Sequence, residues 1–254
     1  MTRILAVANQ KGGVAKTTTV ASVAAALVEL GRRVAVVDLD PQACLTFSLG
    51  LDPDALELST HDVLMGRVPA RTALQRVAGG VDLLPAEIDL VGSEKFLNNR
   101  NGREFVLAEA LADLRADYDM VLLDCPPALG VLTVNALTAA DQLMIPVQCE
   151  TLAHRGVGQL LETVAEVRSR SNGRLTVLGV LPTLFDGRSK HARAVLQDIG
   201  QRYGVTVLEP AIPRSIRFAE APASGRSILE TAGRSPGAAA YRELALRLAK
   251  DDVA

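Results

Sequence analysis

The chain has 254 residues, of which 48% are hydrophobic and 22% charged, and its formal net charge is −2. This composition excludes a disordered or fibrous protein, because it supplies enough apolar surface to bury a core. Aromatic residues make up only 3%, so we expect a core of Ala, Val and Leu in which helices pack on a sheet. The three cysteines are widely spaced, which argues against a disulfide framework or a metal site and favours a reducing compartment.

The predicted elements alternate between short runs of Val, Ile and Leu and longer helical patterns, which is typical of βαβ units and a parallel sheet. The first crossover is a strand over Arg3–Asn9, a helix over Thr17–Leu30 and a strand over Val34–Asp40. Further strands are predicted at Val81–Pro85, Asp119–Asp124, Leu143–Val147, Thr176–Leu181 and Val205–Leu208, and further helices near 102–115, 152–170, 189–203 and 236–250. Residues 51–70 and 212–235 have the composition of long surface segments. We therefore expect one α/β domain over residues 1–254, a mostly parallel twisted sheet flanked by helices.

Neither an export signal nor a membrane span is predicted. The first residues lack the basic region, apolar stretch and cleavage site of a signal peptide. No apolar run approaches the roughly 20 residues that a membrane-spanning helix needs. We therefore expect a cytoplasmic protein.

Charge is unevenly distributed along the chain. Residues 186–254 carry 11 Lys and Arg against 8 Asp and Glu, whereas residues 1–185 carry 16 against 21. The excess of cations near the C-terminal end allows a basic patch that binds a polyanion, although chance clustering gives the same count.

Most of the candidate ligand-binding residues lie between the first strand and the first helix, where Asn9–Thr19 reads NQKGGVAKTTT. Backbone N–H groups of a glycine loop and the positive end of a helix dipole form a cradle for phosphate oxygens. Lys16 can reach the outer phosphates and the Thr17 hydroxyl can hold Mg²⁺. The strict pattern G-x-x-x-x-G-K-[ST] is broken at two positions, where Gln10 and Ala15 replace glycine. The segment predicts a nucleoside triphosphate site; the alternative is an ordinary glycine turn before a helix.

Carboxylates end two of the predicted strands. Tyr118–Pro127 (YDMVLLDCPP) places Asp124 at the C-terminal edge of a parallel sheet, where ligands bind and where it can hold the water shell of Mg²⁺. Val37–Gln42 (VDLDPQ) ends a second strand beside the same crevice. Asp40 is the better general-base candidate, because it lies past the strand end on a turn and can orient an attacking water. The alternative makes Asp38 and Asp40 helix caps or solvated turn residues.

These motifs resemble the deviant Walker-A ATPases of the ParA/MinD group, and specifically the ParA (Soj-like) chromosome and plasmid partitioning ATPases, over nearly the whole chain. KGGVAKTTT is similar to the signature K-G-G-x-x-K-[ST], VDLDPQ to the family's switch segment, and LLDCPP to its Walker-B strand. PVQCE, PTLFDGRS and IPRSIRFAEAPASG are similar to later segments of the family. Ala15 replaces a glycine that is common there. We expect the Ala15 backbone to avoid positive φ, which would weaken or retune nucleotide binding.

The resemblance implies a P-loop NTPase with a deviant Walker A that binds MgATP, closes into a sandwich homodimer and slowly hydrolyses ATP. It implies that Lys11 reaches the partner's nucleotide, that Asp40 holds the attacking water, and that Thr17 and Asp124 hold Mg²⁺. The phosphates would be held by the loop residues Gly12, Gly13, Val14, Ala15, Lys16, Thr17 and Thr18. Pro213 would contact adenine, unless it is an ordinary loop proline.

The resemblance also implies the partners. The ATP-bound dimer would bind double-stranded DNA nonspecifically in association with the nucleoid, and a ParB-type centromere-binding protein would stimulate hydrolysis. Arg188 and Arg217 match positions of DNA-contacting residues in relatives, and Lys190 and Arg214 lie near them in sequence. Taken singly, each is an ordinary solvated side chain. Sequence-specific operator binding is not expected, because no helix-turn-helix extension precedes the first strand.

Three alternatives remain open at this stage. A MinD-like ATPase needs a C-terminal amphipathic helix for the membrane, but Tyr241–Lys250 has a weak apolar face and the acidic residues of the terminal DDVA would repel anionic lipid. A metabolic enzyme on the same fold, such as an ATP-dependent ligase or an iron–sulfur reductase, is less favoured because Cys125 and Cys149 have the setting of packing residues. An orphan ParA relative that positions another cargo cannot be separated from a true ParA by sequence.

Overall fold

A computed structural model describes residues 2–150 and 153–250 of the chain. Seven strands form one sheet in this part of the chain: β1 (Arg3–Val7), β2 (Val34–Asp38), β3 (Gln75–Arg76), β4 (Asp82–Leu84), β5 (Met120–Asp124), β6 (Gln142–Gln148) and β7 (Thr176–Thr183). Their order across the sheet is β3-β4-β2-β5-β1-β6-β7. Every neighbouring pair is parallel except β3 and β4. This arrangement confirms the predicted α/β class.

Helices connect the strands and cover both faces of the sheet. They are α1 (Lys16–Glu29), α2 (Cys44–Ser48), α3 (Thr60–Leu64), α4 (Ala70–Ala73), α5 (Leu90–Asn98), α6 (Val106–Ala110), α7 (Val131–Ala139), α8 (Ala153–Arg170), α9 (Lys190–Tyr203), α10 (Arg217–Glu220), α11 (Ile228–Thr231) and α12 (Pro236–Lys250). Short 3₁₀ turns cover Pro53–Ala55, Ala78–Gly80, Arg103–Phe105, Ala112–Ala116 and Ala221–Ser224.

The core has two apolar layers because side chains of a strand alternate between the faces of the sheet. In β1, Ile4 belongs to the layer that includes side chains of α7, α8 and α9, whereas Leu5 belongs to the layer under α1 and α12. Tyr241 of α12 is fully buried in the second layer and shares a hydrogen bond of 3.0 Å with the Thr19 hydroxyl of α1. The helix that follows the phosphate loop is thereby held against the C-terminal helix.

Four predicted elements or segments differ from the structure. Val205–Leu208 forms a single bridge, Val207 to Val180, instead of a strand, and Pro210 lies just beyond it without the N–H that a longer ladder would need. The helix predicted near 102–115 is divided into two 3₁₀ turns and the five residues of α6. The segments expected to be irregular, 51–70 and 212–235, contain short helices. Helices α5 and α7 and the two-residue strand β3 were not predicted.

Candidate nucleotide site

The phosphate loop lies at the C-terminal edge of the sheet, between β1 and α1. It lines a cavity of about 490 Å³ together with the start of α1, Asp40 and the segment before α10. The loop is anchored from the side, because the Thr183 hydroxyl at the end of β7 donates a hydrogen bond of 2.9 Å to the Val14 carbonyl. Asn9 also fixes its entry: the Asn9 amide donates to the Pro146 carbonyl (2.7 Å) and its oxygen accepts from the Lys11 N–H (3.0 Å).

The loop reaches the helix through a left-handed backbone. Gly13 has a φ of +73°, and Ala15, the residue before α1, has a φ of 65° and a ψ of 35°. The expectation that Ala15 would avoid positive φ is therefore wrong. The fixed ends of the loop and the start of α1, where the Ala15 carbonyl accepts from the Thr19 N–H at 2.9 Å, impose the conformation despite a cost of about 1–2 kcal/mol for the alanine Cβ.

Two buried carboxylates lie side by side at this edge. Asp38 ends β2 and Asp124 ends β5, and the register of the two strands pairs them directly. Asp38 accepts hydrogen bonds from the Thr46 N–H (2.9 Å), the Thr46 hydroxyl (2.8 Å) and the Asp40 N–H (3.1 Å). Burial raises the pKa of Asp38 to about 6 although these hydrogen bonds oppose the rise. The alternative that made Asp38 a solvated turn residue is excluded by its complete burial.

Asp124 is the more unusual of the pair. No group in residues 2–150 and 153–250 makes a hydrogen bond of normal geometry to either of its buried oxygens. Burial, followed by the charge of Asp38, raises the pKa of Asp124 well above its ordinary value, whereas Thr17 and Lys16 oppose the rise. Buried carboxylate oxygens without partners are costly, and a cation with oxygen ligands relieves that cost. The Thr17 hydroxyl and the Asp124 carboxylate therefore fit Mg²⁺.

Lys16 supplies the positive side of the site. The residue is only 7% exposed, and its ammonium is 3.4 Å from the Lys11 carbonyl. Burial lowers the pKa of Lys16, and the charge of Asp124 is the strongest of the effects that oppose the fall. A desolvated cation beside exposed loop N–H groups fits the outer phosphates of a nucleotide.

Asp40 and Cys44 line the same cavity beyond the end of β2. The Asp40 carboxylate accepts one hydrogen bond from the Gln42 N–H at 3.0 Å, which leaves its other oxygen available to a water in the cavity. Burial, followed by the charge of Asp40, raises the pKa of the Cys44 thiol. This cysteine therefore stays a thiol at neutral pH, which does not suit a nucleophile.

The far wall of the cavity is more apolar and is built from Leu184, Ile212, Phe218 and Tyr241. Phe218 packs edge-on against Tyr241, with the ring centroids 5.8 Å apart. Such a wall fits the flat face of a base. Pro213 is half-buried next to Ile212, and the structure places Ile212 rather than Pro213 on the wall. The adenine contact of Pro213 stays a prediction.

Comparisons with known proteins agree with this geometry. A family described as an AAA domain matches residues 2–177. The chromosome partitioning protein ParA of Caulobacter vibrioides is 42% identical over 246 residues, which are 96% of this chain and 92% of that protein. The sporulation initiation inhibitor protein Soj of Bacillus subtilis is 40% identical over 98% of this chain and 99% of its own. The chain belongs to the ParA/Soj family of partitioning ATPases.

A solved structure extends the comparison. The crystal structure of cobyrinic acid a,c-diamide synthase from Mycobacterium smegmatis with bound ADP and magnesium is 56% identical, with a TM-score of 0.89. The match covers 98% of this chain and 95% of that one. The P-loop NTPase fold of the ParA/Soj family is thereby confirmed, and family membership supports nucleotide hydrolysis in general.

Lys11, the first lysine of the KGGVAKTTT segment, is not among the residues that line the cavity. The Lys11 ammonium lies 2.6 Å from a carboxylate oxygen of Glu150, which follows β6, and both side chains are partly exposed. Lys11 is therefore held at the rim of the site by an ion pair with its own chain, while Lys16 alone occupies the interior.

The predicted DNA-contacting residues lie on two adjacent segments. Phe185 and Pro213 form a bridge, and the Phe185 N–H donates to the Ile212 carbonyl at 2.9 Å, so the loops carrying Arg188 and Arg217 lie next to each other. Arg188 pairs with Asp186 (3.1 Å) and Arg217 pairs with Glu220 (2.8 Å). Lys190 and Arg214 are exposed on the same two segments.

Sequence reasoning placed Asp38 and Asp40 at the end of the same strand and preferred Asp40, although a carboxylate that ends a buried parallel strand faces the ligand edge. It assigned no role to Glu150 or Thr46. The importance of these two residues arises from their partners Lys11 and Asp38, which are 139 and 8 residues away in the chain.

No helix in the described ranges 2–150 and 153–250 is long and apolar enough to cross a membrane. In α12, the side chains of Tyr241, Leu244 and Leu248 are buried in the core layer shared with α1. The terminal DDVA lies outside the described residues.

Proposed function

We propose that the chain is an ATP-hydrolysing ParA-type partition protein that works as a single domain over residues 1–254. MgATP drives a sandwich homodimer that binds double-stranded DNA nonspecifically, and a ParB-type partner stimulates the hydrolysis that resets it. The cycle segregates or positions chromosome or plasmid DNA in the cytoplasm, at the nucleoid. The observation that carries the proposal is the pairing of Asp38 with Asp124 at the sheet edge, facing the buried cation of Lys16.

Each residue of the site has a defined task in this proposal. The loop N–H groups of Gly12 to Thr18 and the ammonium of Lys16 bind the phosphates, and the Thr17 hydroxyl and Asp124 hold the metal. Mg²⁺, when held by these residues, would supply positive charge against the negative charge that develops on the phosphates. Asp40 orients the attacking water, because it lines the cavity and only one of its carboxylate oxygens accepts a hydrogen bond from the described residues. Asp38, fixed by Thr46, places a second carboxylate next to Asp124.

Lys11 links hydrolysis to dimerisation. In a single protomer its ammonium is held by Glu150 instead of entering the protomer's own cavity. Delivery of Lys11 to the partner's nucleotide would place a cation on the transferred phosphoryl group, as an arginine finger does. A monomer then lacks this contribution, so slow hydrolysis waits for the dimer and for the ParB-type partner.

DNA binding is assigned to the two adjacent segments that carry Arg188, Lys190, Arg214 and Arg217. Their cations are solvent-exposed, and the ion pairs of Arg188 and Arg217 are of the weak surface type, so both can be exchanged for DNA phosphates. Two-fold symmetry of the dimer doubles the number of phosphate contacts. The affinity is therefore expected to fall steeply with salt.

A second candidate is ATP-dependent amide synthesis, because the Mycobacterium smegmatis structure carries the name of a diamide synthase. Such an enzyme needs an acid substrate and an ammonia source beside the phosphates. A release of ADP that depends on an added cobyrinic acid and ammonia would favour it. A MinD-like or orphan relative that positions another cargo is the remaining alternative, although Tyr241, Leu244 and Leu248 on the apolar face of α12 are buried in the core.

Retention on duplex DNA tests the proposal directly. We expect the protein to be retained with ATP or a non-hydrolysable ATP analogue, but not with ADP or without nucleotide, and to be released as salt is raised. Analytical ultracentrifugation should show a dimer only with the ATP analogue. Equal retention in all three nucleotide conditions, or a monomer with the analogue at high concentration, would overturn the proposal.

A further inference from the structure

A second cavity, of about 320 Å³, lies outside the nucleotide site. It opens between the end of α5, the 3₁₀ turn Arg103–Phe105, the start of α7 and the last two turns of α8. Its apolar floor consists of Leu129, Val131, Val134 and Val167. A cavity of this size accommodates one or two large side chains of a ligand.

The charged groups of this cavity lack ion-pair partners. Glu104 and Glu166 line it, and Glu94 lies beside Gly130 at its edge; none of the three forms an ion pair within residues 2–150 and 153–250. Two guanidiniums also line the cavity. That of Arg103 already donates to the Asn98 carbonyl at 2.9 Å, which leaves Arg170 as the other cation. Two carboxylates and two guanidiniums therefore line the cavity, and Glu94 adds a third carboxylate at its edge.

One short segment joins this cavity to the nucleotide site. Asp124 ends β5, Pro127 lines the nucleotide cavity, and Leu129 and Gly130 line the second one. The segment is tied at both ends: the Cys125 N–H donates to the Val7 carbonyl (3.2 Å), and the Thr133 hydroxyl of α7 donates to the Ala128 carbonyl (2.6 Å). A ligand that displaces Leu129 therefore acts on the six residues that follow the metal-binding carboxylate.

We propose that this second cavity is the docking site of the partner that stimulates hydrolysis, and that the partner inserts an apolar side chain flanked by Lys or Arg. The apolar floor receives the former, and Glu104 and Glu166 receive the cations. Docking shifts the 125–130 segment and so changes the position of Asp124. The inference rests on the proposed ATPase cycle and adds to it the surface and the chemistry of the partner.

Charge reversal tests the assignment without disturbing the core. The variant Glu166→Lys, alone and combined with Glu104→Lys as a double variant, is compared with Glu162→Lys. Glu162→Lys makes the same charge change as Glu166→Lys, one turn away on α8, at an exposed position that does not line the cavity. We measure ATP turnover with DNA, with and without the ParB-type protein, and the affinity of that protein for the ATP-bound dimer. We expect the double variant to lose stimulation and affinity at least tenfold with unchanged basal turnover, and Glu162→Lys to behave as wild type.

Arg170→Glu should change the affinity for the partner in the opposite direction, because it adds a carboxylate to the cavity. The affinity for the ParB-type protein should rise a few-fold. Full stimulation of the double variant, or an equal loss in Glu162→Lys, would overturn the docking site and leave the ATPase cycle intact. A wild-type protein that binds DNA independently of ATP, or that no ParB-type protein stimulates, would overturn the proposed function and the docking site with it.

Discussion

The phosphate loop and the basic segments around Arg188 and Arg217 both present cations, but in opposite surroundings. Lys16 is almost completely buried beside the charges of Asp124, which ends β5, and Asp40, which follows β2, so its site is organised before any ligand arrives. Arg188 and Arg217 are solvent-exposed, and each already holds a carboxylate three or fewer residues away. The first region suits a strong and specific interaction with one dense charge, whereas the second suits weak contacts that are made and broken in each cycle.

Lys11→Ala should produce the largest effect, because it removes the cation that, in the proposed dimer, would reach the partner's nucleotide. We expect kcat to fall by about 10³-fold, on the scale of an arginine finger, with ATP affinity nearly unchanged since Lys16 and the loop remain. Steady-state hydrolysis and a nucleotide titration measure the two quantities, with Lys95→Ala as the control for loss of an exposed lysine. Unchanged turnover in Lys11→Ala would contradict the proposal that Lys11 acts in hydrolysis whereas Lys16 binds the phosphates.

Asp38→Asn should stabilise the protein in the absence of nucleotide and metal. The raised pKa of Asp38 means that its ionised form is disfavoured in the folded state, so the cost is nearly absent at about pH 4 and fully present above pH 6. This rise in the pKa of Asp38 corresponds to about 3 kcal/mol of lost folding free energy at high pH. Asp38→Asn recovers it but loses about 1 kcal/mol, because asparagine cannot accept one of the hydrogen bonds. Urea unfolding should show a gain of about 2 kcal/mol at pH 8. Near pH 4 it should show a loss of up to about 1 kcal/mol, because the ionisation cost is nearly absent there whereas the hydrogen bond is still lost.

The same variant also tests the use of that buried charge. Thermal stabilisation by MgATP should be smaller in Asp38→Asn than in the wild type, because the pair that attracts the metal has lost one charge. If Asp38→Asn and the wild type have equal free energies of unfolding at both pH values, the buried charge of Asp38 does not destabilise the folded protein.

Arg217→Glu should weaken DNA binding about tenfold and make it less dependent on salt, because one phosphate contact per protomer is replaced by repulsion. Arg174→Glu is the matched control, since Arg174 is an exposed arginine that precedes β7 at the opposite edge of the sheet. Fluorescence anisotropy over a series of salt concentrations measures both affinity and slope. An equal loss in the two variants would mean that only net charge matters and that the basic segments form no defined surface.

Local pattern was sufficient to predict the nucleotide edge from sequence. Alternating apolar runs and Gly31 located β1, α1 and β2 within about two residues, and carboxylates after two apolar runs located Asp124 and Asp40. The same reasoning undervalued Asp38, because burial at that position depends on which strand lies next to β2. Strand order is a property of the whole sheet and is not written in the VDLDPQ segment.

Tertiary contacts decided the remaining differences. Asn135 stabilises the break after Arg103 by accepting from the Leu107 N–H and donating to the Arg103 carbonyl, contacts about 30 residues away in sequence. The Ala15 backbone is set by anchors at Thr183 and Asn9 that no local rule includes. The pairing of Lys11 with Glu150 is equally remote, although it decides where the signature lysine rests.

Ala15→Gly tests how firmly the loop is held. Glycine adopts positive φ without the Cβ clash, and part of that gain is offset by its greater entropy in the unfolded chain. We expect the free energy of unfolding to rise by about 1 kcal/mol, measured by denaturant unfolding without nucleotide. Ala43 also lies at positive φ, before α2, so Ala43→Gly should give a similar gain without touching the phosphates. A loss of stability in Ala15→Gly alone would mean that the alanine methyl makes contacts that outweigh the strain.

Glu150→Gln should have the smallest effect. It tests most directly whether the ion pair with Glu150 restrains Lys11 before the dimer forms. The ion pair of Glu150 with Lys11 is partly exposed on both sides, so its loss is worth less than about 1 kcal/mol. Release of Lys11 in both protomers should still tighten the ATP-dependent dimer two- to fivefold and raise basal turnover by a similar factor. Sedimentation with an ATP analogue measures the dimer constant, and Lys11→Ala, Glu150→Gln should lose the gain in turnover. If the single variant dimerises no more tightly than wild type, Glu150 does not restrain Lys11. The preorganised part of the nucleotide site would then comprise the phosphate loop without the Lys11–Glu150 pair.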